Sequence, residues 1–557
     1  MDIHCLKDFY KYIVIGSGPA GLQCAYYLQH TYGQDYLILE RSSSIGSFFS
    51  KYPRLKKLIS INKHSTYSFS NTSYDSMRYD WNSLLCENNS IRLKEFTNEF
   101  YPSSDDFMKY LEHYKTHFQL HILFDIQVLS IKKSLETNNF ILTCHHPSYA
   151  DPFLISCEYL IVSTGLREKP IPESIVHLSN KMDIELLSYT TFDLNLDHYK
   201  NKNIVIVGTG NAAFETANYI NNVAMSVAMI GPTKLAWKTH YPGHLRSINM
   251  GFIDTLYLKM GNIMYLDKYD TIHAIKLQNE FLKYCNAKVD KIIYCGGFEC
   301  NFLTLFTENI KPSILPNHYP ELTSWYESVN IPKLYFAGAL THGYDYKKGT
   351  SGFIHGFRYN IEFTMRYIHE DIHPISLPSK ERLLSHILER LNFCSCLHHR
   401  HGYYCDYILI WDDCEGNDSK PKFVTPKILY YEKIHISYIP FIHTPNHSIQ
   451  IQLGFEYGKE EFDWNLKQPG GFNQPDIVIP FRKDISKFLH PVFEIVFRNG
   501  KKDTYHVGES PTGQFFHPIY KNYVKAILDL SYTNRTHEDV CEFEKKILDI
   551  YYALNVE

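Results

Sequence analysis

The sequence predicts an α/β fold in which two parallel-sheet nucleotide domains are nested, followed by a C-terminal mixed α/β module. Three observations carry that prediction. A glycine-rich turn, Gly16-Ser17-Gly18-Pro19-Ala20-Gly21, follows the apolar run Tyr12-Ile13-Val14-Ile15. Much further along, Gly208-Thr209-Gly210-Asn211-Ala212-Ala213 follows Ile204-Val205-Ile206-Val207. A later apolar run, Leu334-Tyr335-Phe336-Ala337-Gly338, then returns the chain to the first domain. Each turn has the order strand, tight glycine loop, helix, in which helix N-terminal amides hold a pyrophosphate. Two such Rossmann-like units in one chain point to a flavoprotein that binds FAD at the first and NADPH or NADH at the second.

The first turn is supported by its second strand, Tyr36-Leu37-Ile38-Leu39, which ends at Glu40-Arg41. That is the place, roughly 20 residues after the last glycine, where an acidic side chain accepts hydrogen bonds from a ribose. A carboxylate there repels a 2′-phosphate, so this site suits FAD or NAD rather than NADP. The run Ile161-Val162-Ser163-Thr164-Gly165 ends another strand, with Thr164 and Gly165 placed to close over the cofactor. Gly338 permits close backbone approach, while Ala339 stands where many flavoproteins place an aspartate. The helix that begins near Gly352 would aim its positive end at the flavin, where charge grows on reduction. His355 on that helix reads as a packed histidine, or as a donor behind the flavin.

In the second turn Ala213 replaces the third glycine, and the next strand, Ser226-Val227-Ala228-Met229-Ile230, ends in Gly231-Pro232-Thr233-Lys234. No acidic residue closes it. Lys234, with Lys238 and Arg246, offers charge for a 2′-phosphate, which favours NADPH over NADH. The arginine usual at that strand end is missing, and a solvated basic loop reads the same way. The expected organisation is an FAD domain over 1–200, a nicotinamide domain over 201–300, the rest of the FAD domain over 301–375, and the C-terminal region over 376–557.

With 557 residues, 44% hydrophobic and 21% charged, the chain has length for several cores. Its formal net charge of −4 makes no electrostatic case for nucleic acid or an anionic membrane. No apolar run approaches the roughly 20 residues needed to span a bilayer. The opening Met1 to Tyr10 is too short and too charged for a signal peptide, and Leu554-Asn555-Val556-Glu557 is no retrieval signal, so the chain as written reads as cytoplasmic. Sequons stand at Asn71, Asn88, Asn417, Asn446 and Asn534.

A flavin reductase of the dithiol type needs two thiols that can close one disulfide. The 13 cysteines contain no CxxC. Cys295 and Cys300 have the CxxxxC spacing, but they end a strand of the second domain instead of lying on a helix near the first turn, and they read as buried or free thiols. Cys394, Cys396, Cys405 and Cys414, with His398, His399 and His401, match no standard zinc spacing, so no metal is expected.

The layout resembles the flavin-containing monooxygenases at Gly46-Ser47-Phe48-Phe49 and at Leu58-Ile59-Ser60-Ile61-Asn62-Lys63. The resemblance puts Gly46 and Phe49 where that family carries Gly-Gly-x-Trp, and Asn62 where it carries a flavin-contacting asparagine. The stretch Ile184-Glu185-Leu186-Leu187-Ser188-Tyr189 lacks its signature histidine, which argues against oxygenation. A nearer resemblance is to the endoplasmic-reticulum flavoproteins associated with degradation. It rests on Lys51-Tyr52-Pro53-Arg54, Asp80-Trp81-Asn82-Ser83-Leu84-Leu85, Asn211 to Ala217, Thr239-His240-Tyr241, Leu245 to Asn249, Gly352 to Tyr359 and Phe488 to Val492. That resemblance implies a lumenal FAD protein serving the disposal of misfolded glycoproteins. Its implied partners are a disulfide reductase, a lectin and a membrane adaptor of the degradation machinery.

The C-terminal region shows a helical stripe, Leu383, Leu384, Ile387, Leu388 and Leu391, read as core, and alternating runs at His447 to Leu453 and Val492 to Phe497, read as strands. The expected chemistry is hydride transfer from nicotinamide C4 to flavin N5, with the protein supplying orientation and dryness. Asn62, Trp81 and His240 are the candidates for lining that region. The alternatives are a flavin-dependent monooxygenase of soft nucleophiles and a non-catalytic FAD-bound scaffold.

Overall fold

In the computed structural model the described residues are 6–63, 77–231, 249, 251–253, 255–256, 262–267, 270–284, 286–346, 349–371, 375–376, 380–410, 427–432, 449–456, 490–496, 500, 502–506, 521–522, 524–525 and 527–528. The chain divides into two compact units. The first comprises Met1–His64, Ile91–Glu321 and Ser328–Gly343; the second comprises Ser65–Ser90, Leu322–Glu327 and Tyr344–Glu557.

The first unit opens with β1 (Phe9–Ile15), β2 (Tyr36–Leu39), β3 (Ile122–Leu123), β4 (Gln127–Lys133), β5 (Phe140–His145) and β6 (Phe153–Val162). They lie in the order β3-β2-β1-β6-β5-β4, with β1 parallel to both β2 and β6. As an inner strand covered on both faces, β1 is apolar from Tyr12 to Ile15, and Ile13 and Val14 are fully buried. β6 changes partner along one edge. Phe153 to Cys157 pair antiparallel with β5, which leaves Leu160 to Val162 for a strand that arrives much later.

The chain then forms β7 (Arg167–Glu168), β8 (Glu185–Ser188), β9 (Asn203–Val207), β10 (Ser226–Gly231), β11 (Ile263–Asp267), β12 (Lys291–Tyr294), β13 (Phe298–Glu299) and β14 (Leu334–Phe336). Five of these make a wholly parallel sheet, β11-β10-β9-β12-β8, with β9 buried along its length. The chain leaves and re-enters the first domain through the antiparallel pair β7 and β13, where Arg167 meets Glu299 at 2.9 Å. β14 then takes the parallel place on β6. Both glycine turns thus follow an inner strand with parallel neighbours on each side, the crevice position where α/β sheets bind ligands.

The second unit holds β15 (Ile375–Ser376), β16 (Tyr404–Ile410), β17 (Lys427–Glu432), β18 (Ile449–Glu456), β19 (His490–Val496) and β20 (Lys502–His506). Their order is β15-β17-β16-β18-β19-β20, every pair antiparallel. Ile451, Leu453 and Phe455 alternate into the core, as a sheet with one covered face requires. Leu383, Leu384, Ile387 and Leu391 of the helix Lys380–Phe393 belong to the same core. The predicted stripe and the predicted strands are therefore one hydrophobic layer.

This unit is also tied by buried arginines. Arg358 donates to the carbonyls of Ser83 (2.7 Å), Asp80 (2.9 Å) and Met77 (3.1 Å), and Arg78 to those of Leu391 (2.9 Å) and Asn392 (2.8 Å). Arg400 pairs with Asp345 at 2.7 Å, with side-chain exposures of only 2% and 1%. The same Asp345 oxygen accepts from the Ser351 amide (2.9 Å) and hydroxyl (2.7 Å). Arg400→Met would leave that carboxylate buried without its counter-charge, a loss of about 3–5 kcal/mol. Denaturant unfolding followed by far-ultraviolet dichroism should show it as a lowered midpoint.

Candidate functional site

The two glycine turns are built alike. Gly16 has φ +104°, and a Cβ there would sit 2.7 Å from the Ser163 carbonyl oxygen at the end of β6. Gly208 has φ +142°, and its Cβ would sit 2.3 Å from the Cys295 carbonyl oxygen beyond β12. Only glycine fits either place, by conformation and by space. Ser163 and Cys295 are counterparts: their amides donate to the carbonyls of Ile15 (2.9 Å) and Val207 (2.7 Å). The Ser163 hydroxyl adds bonds of 2.9 Å to the carbonyls of both Ile15 and Gly16. Cys295 is thus a packing residue of the second turn. Burial pushes its thiol up to about 12, and that of Cys300 likewise.

The opposite faces of the turns are open. A Cβ on Gly18 or Gly210 meets no atom within 4 Å. The helices Pro19–Tyr26 and Asn211–Ile220 start at these two glycines with no side-chain cap and no acidic residue in the first turn. By contrast, Ser103 and Asp270 cap the helices Ser104–His117 and Thr271–Lys283. Bare amides at the positive end of a helix dipole are what a pyrophosphate needs, and both turns fit one.

Around the first turn, Gly21 is clamped, since its Cβ would lie 1.9 Å from the Gly16 carbonyl oxygen. Pro19 and Ala20 are buried, and Gly338 (φ +70°) brings the end of β14 so close that its Cβ would lie 2.6 Å from that of Ala20. Glu40, 6% exposed, holds the loop: one oxygen accepts from the Ser17 amide and hydroxyl, both at 2.8 Å, and the other from the Ser42 amide at 2.8 Å. Arg41 is exposed beside it. Gly46 is left-handed and donates its amide to the Ser17 carbonyl (3.2 Å), while Phe49 packs edge-on against Phe107 at 4.6 Å. Thr164 is exposed and Gly165 has φ +66°. Asn62 is buried with its amide nitrogen donated to the carbonyls of Thr97 (3.0 Å) and Glu99 (3.3 Å), so it organises the loop beneath it.

In the second turn Ala213 is buried, Ala212 half-buried, and the Asn211 side-chain oxygen accepts from Asn249 at 2.8 Å. Lys234 and His240, with Lys238 and Arg246, lie outside the described residues. Trp81 belongs to the second unit, where its ring lies 5.5 Å from that of His355; His355 also lies 5.8 Å from Phe353 and 5.2 Å from His399, a packed histidine. The helix it belongs to, Ile354–Ile368, likewise begins without a side-chain cap or an early acidic residue.

One group of residues has contacts that the sequence did not signal, although Tyr52, Arg54 and Glu215 lie in runs that carry the resemblance. Glu215, on the helix of the second turn, accepts from the Leu55 amide (3.2 Å) and the Tyr189 hydroxyl (3.1 Å). Tyr189 in turn accepts from the Arg54 amide (3.0 Å), and the Arg54 guanidinium donates to the Phe192 carbonyl (3.0 Å). The Tyr52 ring stacks on Tyr189 at 5.8 Å and 11°, and its hydroxyl bonds Thr190, which donates to Glu168. These bonds fasten the loop 52–55 of the first domain to the second. Burial pushes the Glu215 carboxyl up to about 7, opposed by the two donors.

Two pyrophosphate cradles in one unit define a dinucleotide-dependent redox protein. The chain belongs to the pyridine nucleotide-disulphide oxidoreductase family, whose profile matches residues 13–338. It is 30% identical over 532 residues to FAD-dependent oxidoreductase domain-containing protein 2 of Mus musculus, across 88% of this chain and 76% of the mouse protein. The Danio rerio protein of the same name is 29% identical over 553 residues, across 87% and 75%. Among solved structures, the bacillithiol disulfide reductase Bdr of Staphylococcus aureus aligns over 66% of this chain and 99% of its own, at 17% identity and a TM-score of 0.45. The protein is an FAD-dependent oxidoreductase. No helix among the described residues is long and apolar enough to cross a membrane, and none of their side chains form a group of three or more that would hold a metal.

The two kinds of glycine separate experimentally. Gly21→Ala drives a methyl into a backbone carbonyl and should cost about 2–3 kcal/mol. Gly18→Ala points into open space at an ordinary φ and should melt within about 0.5 kcal/mol of the parent. Thermal unfolding of the two variants side by side reads the difference.

Proposed function

We propose that this oxidoreductase draws electrons from NADPH or NADH at the second turn, holds FAD at the first, and passes the electrons to a separate acceptor. We further propose that it works in the endoplasmic-reticulum lumen in the disposal of misfolded glycoproteins. Its partners there would be a disulfide reductase, a lectin and a membrane adaptor of the degradation machinery, with a cytoplasmic setting as the alternative. The single observation that supports the electron route is the repeated cradle inside one compact unit, with the second helix hydrogen-bonded to the first domain's loop.

FAD supplies the two-electron chemistry when bound. The chain's own residues bind and orient. The open amides after Gly18 take one pyrophosphate and those after Gly210 the other. Glu40 holds the first loop through Ser17, and its charge disfavours a 2′-phosphate there. Basic Lys234, with Lys238 and Arg246, supports NADPH at the second site.

Anaerobic stopped-flow at the flavin band, with NADPH and NADH compared, tests the electron route. The yellow protein should bleach, faster with NADPH. Gly18→Trp should yield colourless protein, whereas Gly210→Trp should stay yellow and no longer bleach. Persistent bleaching in Gly210→Trp would remove the nicotinamide assignment.

The compartment has its own test. Asn88 sits exposed in a tight turn within the sequon Asn88-Asn89-Ser90. In the lumen it should carry a glycan, seen as an endoglycosidase-sensitive mobility shift that is reduced in Asn88→Gln. A chain expressed in its own host that shows no shift at any sequon speaks for the cytoplasm.

A further inference from the structure

We propose that Glu215 is a positioning residue for electron entry: its carboxyl clamps the nicotinamide-turn helix to the flavin-side loop 52–55, and the clamp loosens when the buried carboxyl ionises. This deepens the reading above and rests on it for the electron route, though not for the clamp itself.

The geometry is specific. The helix Asn211–Ile220 turns Ala213, Phe214 and Ala217 into the core of its own domain, leaving Glu215 on the side that meets the first domain. One carboxylate oxygen receives the Leu55 amide and the other the Tyr189 hydroxyl. Both bonds need Glu215 as an acceptor. Tyr189 cannot easily reverse its role, because its oxygen already accepts from the Arg54 amide and its ring is held against Tyr52. Ionised, the carboxylate makes two charge-assisted bonds, each roughly twice as strong as a neutral one. Those bonds do not repay the cost of burying the charge, and the neutral acid keeps a lone pair on each oxygen for the two donors.

The groups that face the carboxyl leave it to set the balance. From the β8–β9 connection comes the Tyr189 hydroxyl, which burial and the carboxylate itself keep protonated. From beyond β12 comes the Cys295 thiol, held protonated by burial. From the flavin-side loop come the amides of Arg54 and Leu55, while the Arg54 guanidinium is turned to the Phe192 carbonyl. Glu215 is the member whose charge changes near neutrality, at about 7, because burial disfavours the anion. Its pKa is raised by burial, so the clamped arrangement favours the neutral acid and is weakened as pH rises through about 7.

The test uses the full-length FAD-loaded protein and Glu215→Gln and Tyr189→Phe, with flavin absorbance per chain as the check that each variant is folded. In the parent, flavin bleaching at saturating NADPH should slow as pH rises through about 7. In Glu215→Gln it should be about tenfold slower at pH 6, since an amide accepts only one of the two bonds, and the fall with pH should flatten. The half-saturating NADPH concentration should stay the same, since the cradle is intact. Tyr189→Phe should slow bleaching less and keep the fall with pH. A second readout needs no nicotinamide: exchange of the Leu55 amide with deuterium, relative to its intrinsic rate, should speed up about tenfold in Glu215→Gln at pH 6.

An unchanged pH profile in Glu215→Gln, or an unchanged Leu55 exchange rate, would overturn the proposal. If neither nucleotide bleaches the parent, the electron route fails, and Leu55 exchange alone then decides whether the clamp exists.

Discussion

The architecture of the first unit hangs on one contact made twice: the first glycine of each turn presses against the carbonyl at the end of the neighbouring strand. Gly16 rests on Ser163 and Gly208 on Cys295, each closer than any side chain would allow. That contact brings the strand ends level, sets where the following helix begins, and so points its bare amides across the top of the sheet. The remaining neighbours are consequences. Ser163 bonds two carbonyls because it stands beside a glycine without a side chain, and Gly338 can slide in beside Ala20 because the loop is so tight. The second turn tolerates Ala213 where the first needs Gly21, so the tightest helix approach belongs to the FAD domain alone.

What was legible in the sequence follows from this. A buried inner strand is a continuous apolar run, a tight turn must be glycine, and a parallel partner ends nearby; all three are local patterns, and β1, β9, β2, β10 and β14 carried them. The stripe Leu383 to Leu391 and the alternation in β18 and β19 were also readable, since a one-sided core imposes its period on the residues that face it. β8 was not. Its Glu185-Leu186-Leu187-Ser188 is an edge strand of four residues, partly exposed, with too little periodicity to show. The buried Arg78, Arg358 and Arg400 were equally silent, because an arginine becomes a structural tie only through carbonyls that the fold delivers from far along the chain.

The candidate site divides along the same line. Residues that act through their own backbone, such as Gly16, Gly18, Gly208 and Gly210, announce themselves by type. Glu40 was read from its place at a strand end, yet its bonds to Ser17 show a second use of the same carboxylate, holding the loop. Asn62 was placed by resemblance, and its amide nitrogen is committed to the carbonyls of Thr97 and Glu99. Glu215 lies in the run Asn211 to Ala217, yet its role did not show: its partners Leu55 and Tyr189 lie 160 and 26 positions away, and nothing about a glutamate in a helix advertises a buried acceptor.

The thiols complete the physical picture. A dithiol relay needs two sulfurs that approach each other and at least one that ionises readily. The nine described cysteines form no disulfide. Cys24, on the helix of the first turn, is completely buried and its thiol is driven upward by burial; Cys295, the best placed by spacing, stands in the slot that Ser163 fills in the other domain. Packing accounts for Cys295: a small, weakly polar side chain fits against Gly208, and its sulfur meets the Thr216 hydroxyl at 3.9 Å. Among the described residues, then, the cysteines are placed as packing groups and form no disulfide.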